Sequence, residues 1–491
     1  MSRLVKQAGI VSLGNISRLL VKTIIGFILA RIFTKDAYGS YLQLFLIYQI
    51  FSTMLLWGIP QSILYFLPKF SNTEKQQKFI IQTLLMLFIF GFLLSIILLL
   101  FRHPIAVLFN NNNLPHLLLV FFLYPMFMFI TTSYIYFMLG FQKSKKVAFF
   151  SIFSVISDAI FILTIAFFTK DVFFTAIGIV ISSTIQFVYT IFSLKKFISE
   201  KFQLDFALIR EQMKYSIPLG MASIVGILST QLDKLVVSNF FSPELFAVFA
   251  IGATEIPIVP NLRNSIFSVV LPEISKLNFQ TEKRKITTVY SGSIRKFALI
   301  LFPLIVFFFV FAPEFIAIAY SEKYLGAVTI FRIYLGILPM RVANYTLVLQ
   351  AAGITKPIFW GATITLGANL ILNIVFVRIF GLTGPAIATV IVNYISLLYY
   401  VILIKRRLKF DIAELFAFSK LLKTFSLSII VGMVFYFFSQ FDLTKWIKFP
   451  SAFILYMATF IVAGVVTNVI TKYDRELFLK FVKRYVFLKR N

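Results

Sequence analysis

The chain is 491 residues long, 59% hydrophobic and 18% aromatic, with only 13% charged residues and a formal net charge of +28. Soluble domains hold about 25% charged residues, and the apolar residues here come in blocks of about 20 or more, so a soluble fold is excluded and an all-α polytopic membrane protein is expected. Lysine and arginine of this abundance would suggest nucleic acid in a soluble protein. In a membrane protein most of them are absorbed by loop sidedness, and no nucleic-acid partner is expected. Cysteine is absent, and the two histidines, His103 and His116, are too few and too loop-like for a metal site. Metal ligands, cofactors and catalytic residues are all expected to be none, since phosphate loops, nucleophile elbows and metal-spaced carboxylates are missing from the sequence.

The basic opening MSRLVKQ leads into an apolar run that is too long for a signal peptide and lacks a small-residue cleavage site, so it reads as a retained first span. Apolar blocks recur at 9–32, 41–67, 79–101, 115–140, 147–168, 172–194, 214–240, 246–272, 296–320, 325–352, 357–380, 384–404, 421–440 and 447–470. That makes about 14 transmembrane helices on the length criterion. Alternate loops, together with both termini, hold roughly 33 Lys and Arg against about 8 in the other set, which puts the first set and both termini in the cytoplasm of a cell-membrane protein.

The first span, Gly9 to Phe33, carries a polar stripe. At 100° per residue Asn15, Arg18 and Lys22 fall within roughly 60° of one another. A central cation costs about 3 kcal/mol even on the mildest insertion scale, so two of them one turn apart require a wet cavity or counter-charges.

The sequence also repeats itself. Phe33-Thr34-Lys35-Asp36-Ala37-Tyr38-Gly39-Ser40-Tyr41 lines up with Phe241 to Phe249, Leu67-Pro68 with Leu271-Pro272, Ala176-Ile177 with Ala386-Ile387, and Lys195-Lys196 with Lys405-Arg406. The spacing stays near 204 to 210 residues, as a duplicated unit of about six spans requires. The domains expected from it are an N-terminal lobe at 1–200, a repeated lobe at 201–410, an extra helix pair at 411–471 and a basic cytoplasmic tail at 472–491.

Once the loops are filled, a few ionisable residues remain inside spans: Arg18, Lys22, Asp158, Asp233, Lys234, Glu255, Arg263, Arg332 and Arg341. At 1.5 Å per residue, Lys22, Arg263 and Arg341 fall near mid-membrane, Arg18 and Glu255 within a turn or two of it, and Lys234 and Arg332 nearer the outer edge, where snorkelling also explains them. The cations outnumber the anions by six to three. Structural ion pairs alone would come closer to balance, so the surplus points to an anionic guest. Arg18, Lys22, Arg263, Arg341, Lys234 and Asn15 are the expected substrate-binding residues, with Asp233, Glu255 and Asp158 as candidates for ion coupling. Breaks are expected at Gly58-Ile59-Pro60, at Pro257 with Pro260, and at Pro339. The stripe Ser223, Gly226, Thr230 reads as close helix packing.

The motifs Lys22-x3-Gly26-Phe27-x2-Ala30-Arg31, Asp36-Ala37-Tyr38-Gly39, Tyr215-Ser216-Ile217-Pro218-Leu219 and Gln231-Leu232-Asp233-Lys234 resemble those of Wzx-like polysaccharide and oligosaccharide flippases. These belong to the multidrug/oligosaccharidyl-lipid/polysaccharide exporter superfamily, and the likeness runs over nearly the whole chain. It implies two six-helix lobes in a V, an extra C-terminal helix pair, and alternating access carrying a polyprenyl-pyrophosphate-linked oligosaccharide to the outer leaflet for surface polysaccharide assembly. In related peptidoglycan-precursor flippases the extra pair helps form a groove for the lipid tail. The implied partners are that lipid-linked substrate, membrane lipids and other glycan-assembly membrane proteins. The basic cavity residues of the family carry over to Arg18 and Lys22 by their place in the first span, whereas Arg263 and Arg341 are assigned by depth alone. A cation-coupled multidrug exporter of the related MATE type would share the lobes but line the first with carboxylates, and a membrane enzyme of glycan assembly would show a large outer loop. No loop here exceeds roughly 25 residues.

Overall fold

A computed structural model describes residues 3–70, 72–197, 204–256, 258–441 and 443–476. Helices account for nearly all of it, and no strand occurs among the described residues. Ten helical stretches there are long and apolar enough to cross a membrane, and one of them, Lys356–Leu408, is 53 residues long and holds two of the expected blocks. The other expected blocks are the first helix, diluted by its polar stripe, and two blocks broken into shorter helices. One is Pro243–Gly252 with Ile258–Ser275, the other Ala327–Leu335 with Leu338–Arg341 and Tyr345–Ala351. The chain is an all-α polytopic membrane protein.

Contacts group the chain into two compact units, 1–251 with Asn369–Pro385, and Gly252–Ala368 with 386–491. The sequence repeat and this grouping measure different things. A repeat orders helices by their similarity, while contacts group whichever helices are packed together in one conformation. Pro257 and the tail from 477 onward lie outside the described residues.

The first unit contains α1 (Arg3–Ile32), α2 (Lys35–Leu56), α3 (Ile59–Phe66), α4 (Thr73–Leu100), α5 (Leu123–Gly140), α6 (Ser144–Asp158), α7 (Val172–Lys195), α8 (Phe206–Phe240) and α9 (Pro243–Gly252). Helix α1 lies along α6, α5 packs on α4 and α7, and α8 packs on α2 and α3. Local chemistry sets the ends. The Thr34 hydroxyl accepts the Ala37 N–H at 3.2 Å to start α2, and the Asp171 carboxylate accepts the Phe173 N–H at 2.6 Å to start α7. Between α2 and α3 the expected break is present: Trp57 and Gly58 turn left-handed and Pro60 sits in the first turn of α3.

Polar side chains tie α8 to this unit at both of its ends. Gln43 donates to the Ser238 hydroxyl at 2.7 Å and to the Phe109 carbonyl at 2.9 Å, while Asn111 donates to Gln43 at 2.6 Å. At the other end Gln212 donates to Ser62 at 3.0 Å and to Thr83 at 3.1 Å. With no water in the bilayer interior, such groups must find protein partners, which makes these bonds specific ties between helices. Next to the first tie, the two sequence corners matched by the repeat meet each other. Lys35 pairs with Glu244 at 3.1 Å, and Gly39 lies so close to α9 that a Cβ would fall 1.8 Å from the Pro243 carbonyl oxygen.

The second unit contains α10 (Ile258–Ser275), α11 (Lys283–Val310), α12 (Ala327–Leu335), the first half of α13 (Lys356–Phe380), nearly all of α14 (Gly384–Leu408), α15 (Phe418–Ser439) and α16 (Lys445–Val466). Its core is aromatic: Phe307, Phe311, Val431, Phe435, Ala452 and Tyr456 join α11, α15 and α16, and the Tyr456 hydroxyl donates to the Ser428 carbonyl at 3.1 Å. Ion pairs fasten the edges, Lys448 with Glu314 at 3.1 Å and Arg295 with Asp474 at 2.5 Å. Burial raises the Asp474 carboxyl, but hydrogen bonds from Thr471 and the charge-assisted bond from Arg295 outweigh it and hold the group below its ordinary value of 3.8.

Two outcomes follow for stability in detergent. Gly39→Val, which drives a side chain into the α9 backbone, lowers the thermal midpoint, whereas Gly226→Ala, with nothing within 4 Å of the added carbon, leaves it unchanged. Asp474→Asn leaves Arg295 buried without its charge partner and costs about 3 kcal/mol at neutral pH. Because Asp474 is depressed in the folded state, its contribution is present above the ordinary carboxylate range and fades as pH falls below about 4, so thermal scans of wild type and variant converge in acid.

Candidate cationic substrate site

Helix α1 contacts the π-helical turn Ala159–Leu163 that follows α6, and of its polar stripe Lys22, but neither Asn15 nor Arg18, lines the cavity beside that turn. Asn15 and Lys22 are exposed and Arg18 is half-buried. Lys22 lines a cavity of about 270 Å³ inside the first unit, together with Gly26, Tyr38, Tyr41, Tyr124 and Asp158. Ring contacts fix the tyrosine walls. Tyr41 stacks on Tyr38 with centroids 6.0 Å apart, and Tyr124 stacks on Phe121 at 4.5 Å and meets Tyr48 edge-on at 4.8 Å.

Asp158 is the acid of this cavity. It accepts hydrogen bonds from the Ser182 hydroxyl and the Gln186 amide, each at 2.8 Å. Its charge reaches Lys22, which also feels the repulsion of Arg18, yet no direct ion pair joins Asp158 to either cation among the described residues. Two cations against one carboxylate leave this cluster with one positive charge to spare. Phenolic hydroxyls and the Lys22 ammonium beside a small cavity, with Arg18 close enough for its charge to act on Lys22, suit a phosphate-type anion.

The second unit has a cluster of the same composition. Arg341, placed at the break after Pro339, donates to Glu255 at 2.9 Å, and Arg263, in the second turn of α10, feels the charges of both. Glu255 therefore pairs with Arg341 rather than with Arg263. The Arg341 Nε is buried without a hydrogen-bond partner, so even this paired guanidinium keeps an unmet donor.

The remaining expected site residues are placed differently. The Asp233 carboxylate accepts the Lys234 backbone N–H at 2.7 Å and feels the charge of Lys234, whose ammonium donates to Gln231 at 3.3 Å, so these two opposite charges stand side by side on α8. Arg332 donates to the Phe309 carbonyl at 3.0 Å and lies over its ring, 5.3 Å from the centroid. It edges an otherwise apolar cavity of about 460 Å³ formed by α11, α12 and α15 with Pro339. The stripe Ser223, Gly226, Thr230 does not pack closely on a neighbouring helix. It opens on a cavity of about 340 Å³ that also meets Gly58, Gln61 and Tyr136.

Tyr41, Tyr124, Ser182 and Gln186 were missed in the sequence. Ser182 and Gln186 stand four residues apart in an apolar helix, the spacing that puts two polar groups on one face, and that pattern was the available signal.

A family model described as polysaccharide biosynthesis protein matches residues 28–329, more than half of the chain. A probable low-salt glycan biosynthesis flippase, Agl15 of Haloferax volcanii, is 22% identical over 178 residues, which is 36% of this chain and 37% of that protein. The chain thus aligns with little more than a third of that relative's length. Among solved structures, the lipid II flippase MurJ in an inward closed conformation superposes with a TM-score of 0.75 at 18% identity, over 95% of this chain and 99% of that one. An inward-facing multidrug resistance MATE family transporter of the MOP superfamily follows with 0.60 at 15% identity, over 80% and 94%. A Pyrococcus furiosus transporter of the same superfamily, described as having a binding pocket of reversed polarity, gives 0.53 at 15% identity, over 84% and 95%. The chain belongs to the polysaccharide biosynthesis protein family, and it shares its fold with the flippase and transporter structures on which it superposes.

Proposed function

We propose that this protein flips a polyprenyl-pyrophosphate-linked oligosaccharide from the cytoplasmic to the outer leaflet of the cell membrane by alternating access, with both termini in the cytoplasm. The observation that carries the reading is the Arg18–Lys22 cluster beside Asp158, a site of net positive charge inside a membrane-embedded helical unit. A pyrophosphate brings two or three negative charges that cannot cross hydrocarbon unaided, and Arg and Lys facing a cavity within the helical unit offset that cost.

In this reading Arg18 and Lys22 hold the phosphates, with Asn15 and the tyrosine hydroxyls contributing neutral hydrogen bonds. Arg263 and Arg341 form a second cationic station, and Lys234 and Arg332 meet headgroups near the membrane edge. The prenyl tail stays in lipid and no bond is made or broken. The flippase descriptions of Agl15 and MurJ support the substrate class, and the duplicated sequence at 1–200 and 201–410 supports two rocking six-helix lobes. A multidrug exporter of organic cations is disfavoured by the sign of the charge at the first helix.

Arg18→Ala and Lys22→Ala each weaken binding of a polyprenyl pyrophosphate by about 10- to 100-fold, the worth of one charge-assisted contact, and abolish surface-glycan export with membrane insertion intact. The check is a flipping assay in proteoliposomes, paired with analysis of lipid-linked intermediates in cells deleted for the gene. Normal export from both variants would defeat the assignment.

A further inference from the structure

We infer that Asp158 is the resident counter-ion of this site: it balances Lys22 when no substrate is bound and gives Lys22 up to the arriving phosphate. The inference rests on the substrate reading above and adds a residue that sets how easily substrate leaves.

The backbone is shaped to present this carboxylate. Helix α6 ends at Asp158 and the next turn, Ala159–Leu163, is a π-helix. Such a turn widens the helix by one residue and is frequent at functional positions. It fits because α7 carries Gly178 at the contact, where a Cβ would come 2.8 Å from the Phe161 carbonyl oxygen.

The carboxylate is also fastened. Ser182 and Gln186, both buried, converge on the same oxygen, Oδ1, and Gln186 is itself held by the Ser182 hydroxyl at 3.0 Å and the Ser154 carbonyl at 3.3 Å. These donors are neutral. They orient the group and leave its charge for Lys22 and Arg18 to balance, with Oδ2 left over from this clamp.

Lys22 is the mobile member of the pair. An ammonium on a four-carbon stem is a strongly hydrated point charge that can swing between partners, unlike a planar guanidinium. Lys22 and Asp158 share one cavity of about 270 Å³ without direct contact, so the ammonium has room to move. The fixed acid also sets the strength of the site. Two deep cations alone would grip a pyrophosphate too tightly for rapid release, whereas the acid competes for one of them at every cycle.

The test uses the purified full-length protein in nanodiscs with a fluorescent polyprenyl pyrophosphate as probe, alongside flipping of the same lipid in proteoliposomes. Asp158→Asn is expected to bind the probe about tenfold tighter and to flip it about tenfold more slowly. Gly178→Ala, which displaces the π-turn and keeps the carboxylate, shifts both readouts in the same direction by less. Asp158→Asn combined with Lys22→Gln binds no more tightly than Lys22→Gln alone, and recovers any thermal stability lost in Asp158→Asn because the stranded ammonium is gone. Unchanged or weaker binding in Asp158→Asn, or a double variant no more stable than a misfolded Asp158→Asn, overturns the counter-ion role while loss of binding in Lys22→Ala leaves the substrate reading standing. Wild-type binding in both Lys22→Ala and Arg18→Ala sinks the substrate reading itself.

Discussion

The cost of placing charge in hydrocarbon governs this molecule. Every deep ionisable group must meet an opposite charge, a polar clamp or water, and what remains unbalanced defines what the protein invites in. Arg18 and Lys22 face a single carboxylate, Asp158, and Arg263 and Arg341 face a single carboxylate, Glu255. Each unit thus keeps one uncompensated positive charge in such a cluster. Asp233 and Lys234, adjacent on α8, have no such surplus. The distinction between them and the two clusters comes from local electrostatics, although all of these residues look alike in a list of buried charges.

The same constraint explains where the backbone bends. A helix that loses hydrogen bonds at a proline exposes carbonyls and amides that lipid cannot satisfy, so the breaks occur where protein surrounds them. The left-handed pair Trp57 and Gly58 is covered by α8, with Ser216 and Leu219 against Gly58. The break at Pro339 brings Arg341 within reach of Glu255. The π-turn after Asp158 achieves a similar re-aiming without a proline. In the latter two places the irregularity sits beside a charged side chain, Arg341 or Asp158, that meets partners on other elements.

Neutral polar groups play a different part. Gln43, Asn111 and Gln212 are fully or almost fully buried and spend their donors on other helices, so they fix register and carry no charge for a ligand. The cavity beside Ser223, Gly226 and Thr230 is hydroxyl-lined, the one beside Arg332 nearly all apolar, and the one beside Lys22 holds an ammonium and a carboxylate between tyrosine and aliphatic walls.

Much of this was written in the sequence. Apolar blocks of membrane length determine an all-α polytopic fold by themselves, because a continuous run of about 20 apolar residues satisfies its backbone in lipid as a helix while barrel strands are about half that length, and the 100° arithmetic of one helix was enough to align Asn15, Arg18 and Lys22 on a single stripe. Glycine and proline at 58 and 60 announced their break. What the sequence could not decide was partnership. Whether Glu255 would pair with Arg263 or Arg341, whether Gly226 would face a helix or a hollow, and which acid would stand opposite Lys22 all depend on residues far apart in the chain being brought together. Spacing along one helix is local geometry that the chain encodes directly, whereas the contacts across helices exist only once the packing has chosen which faces meet.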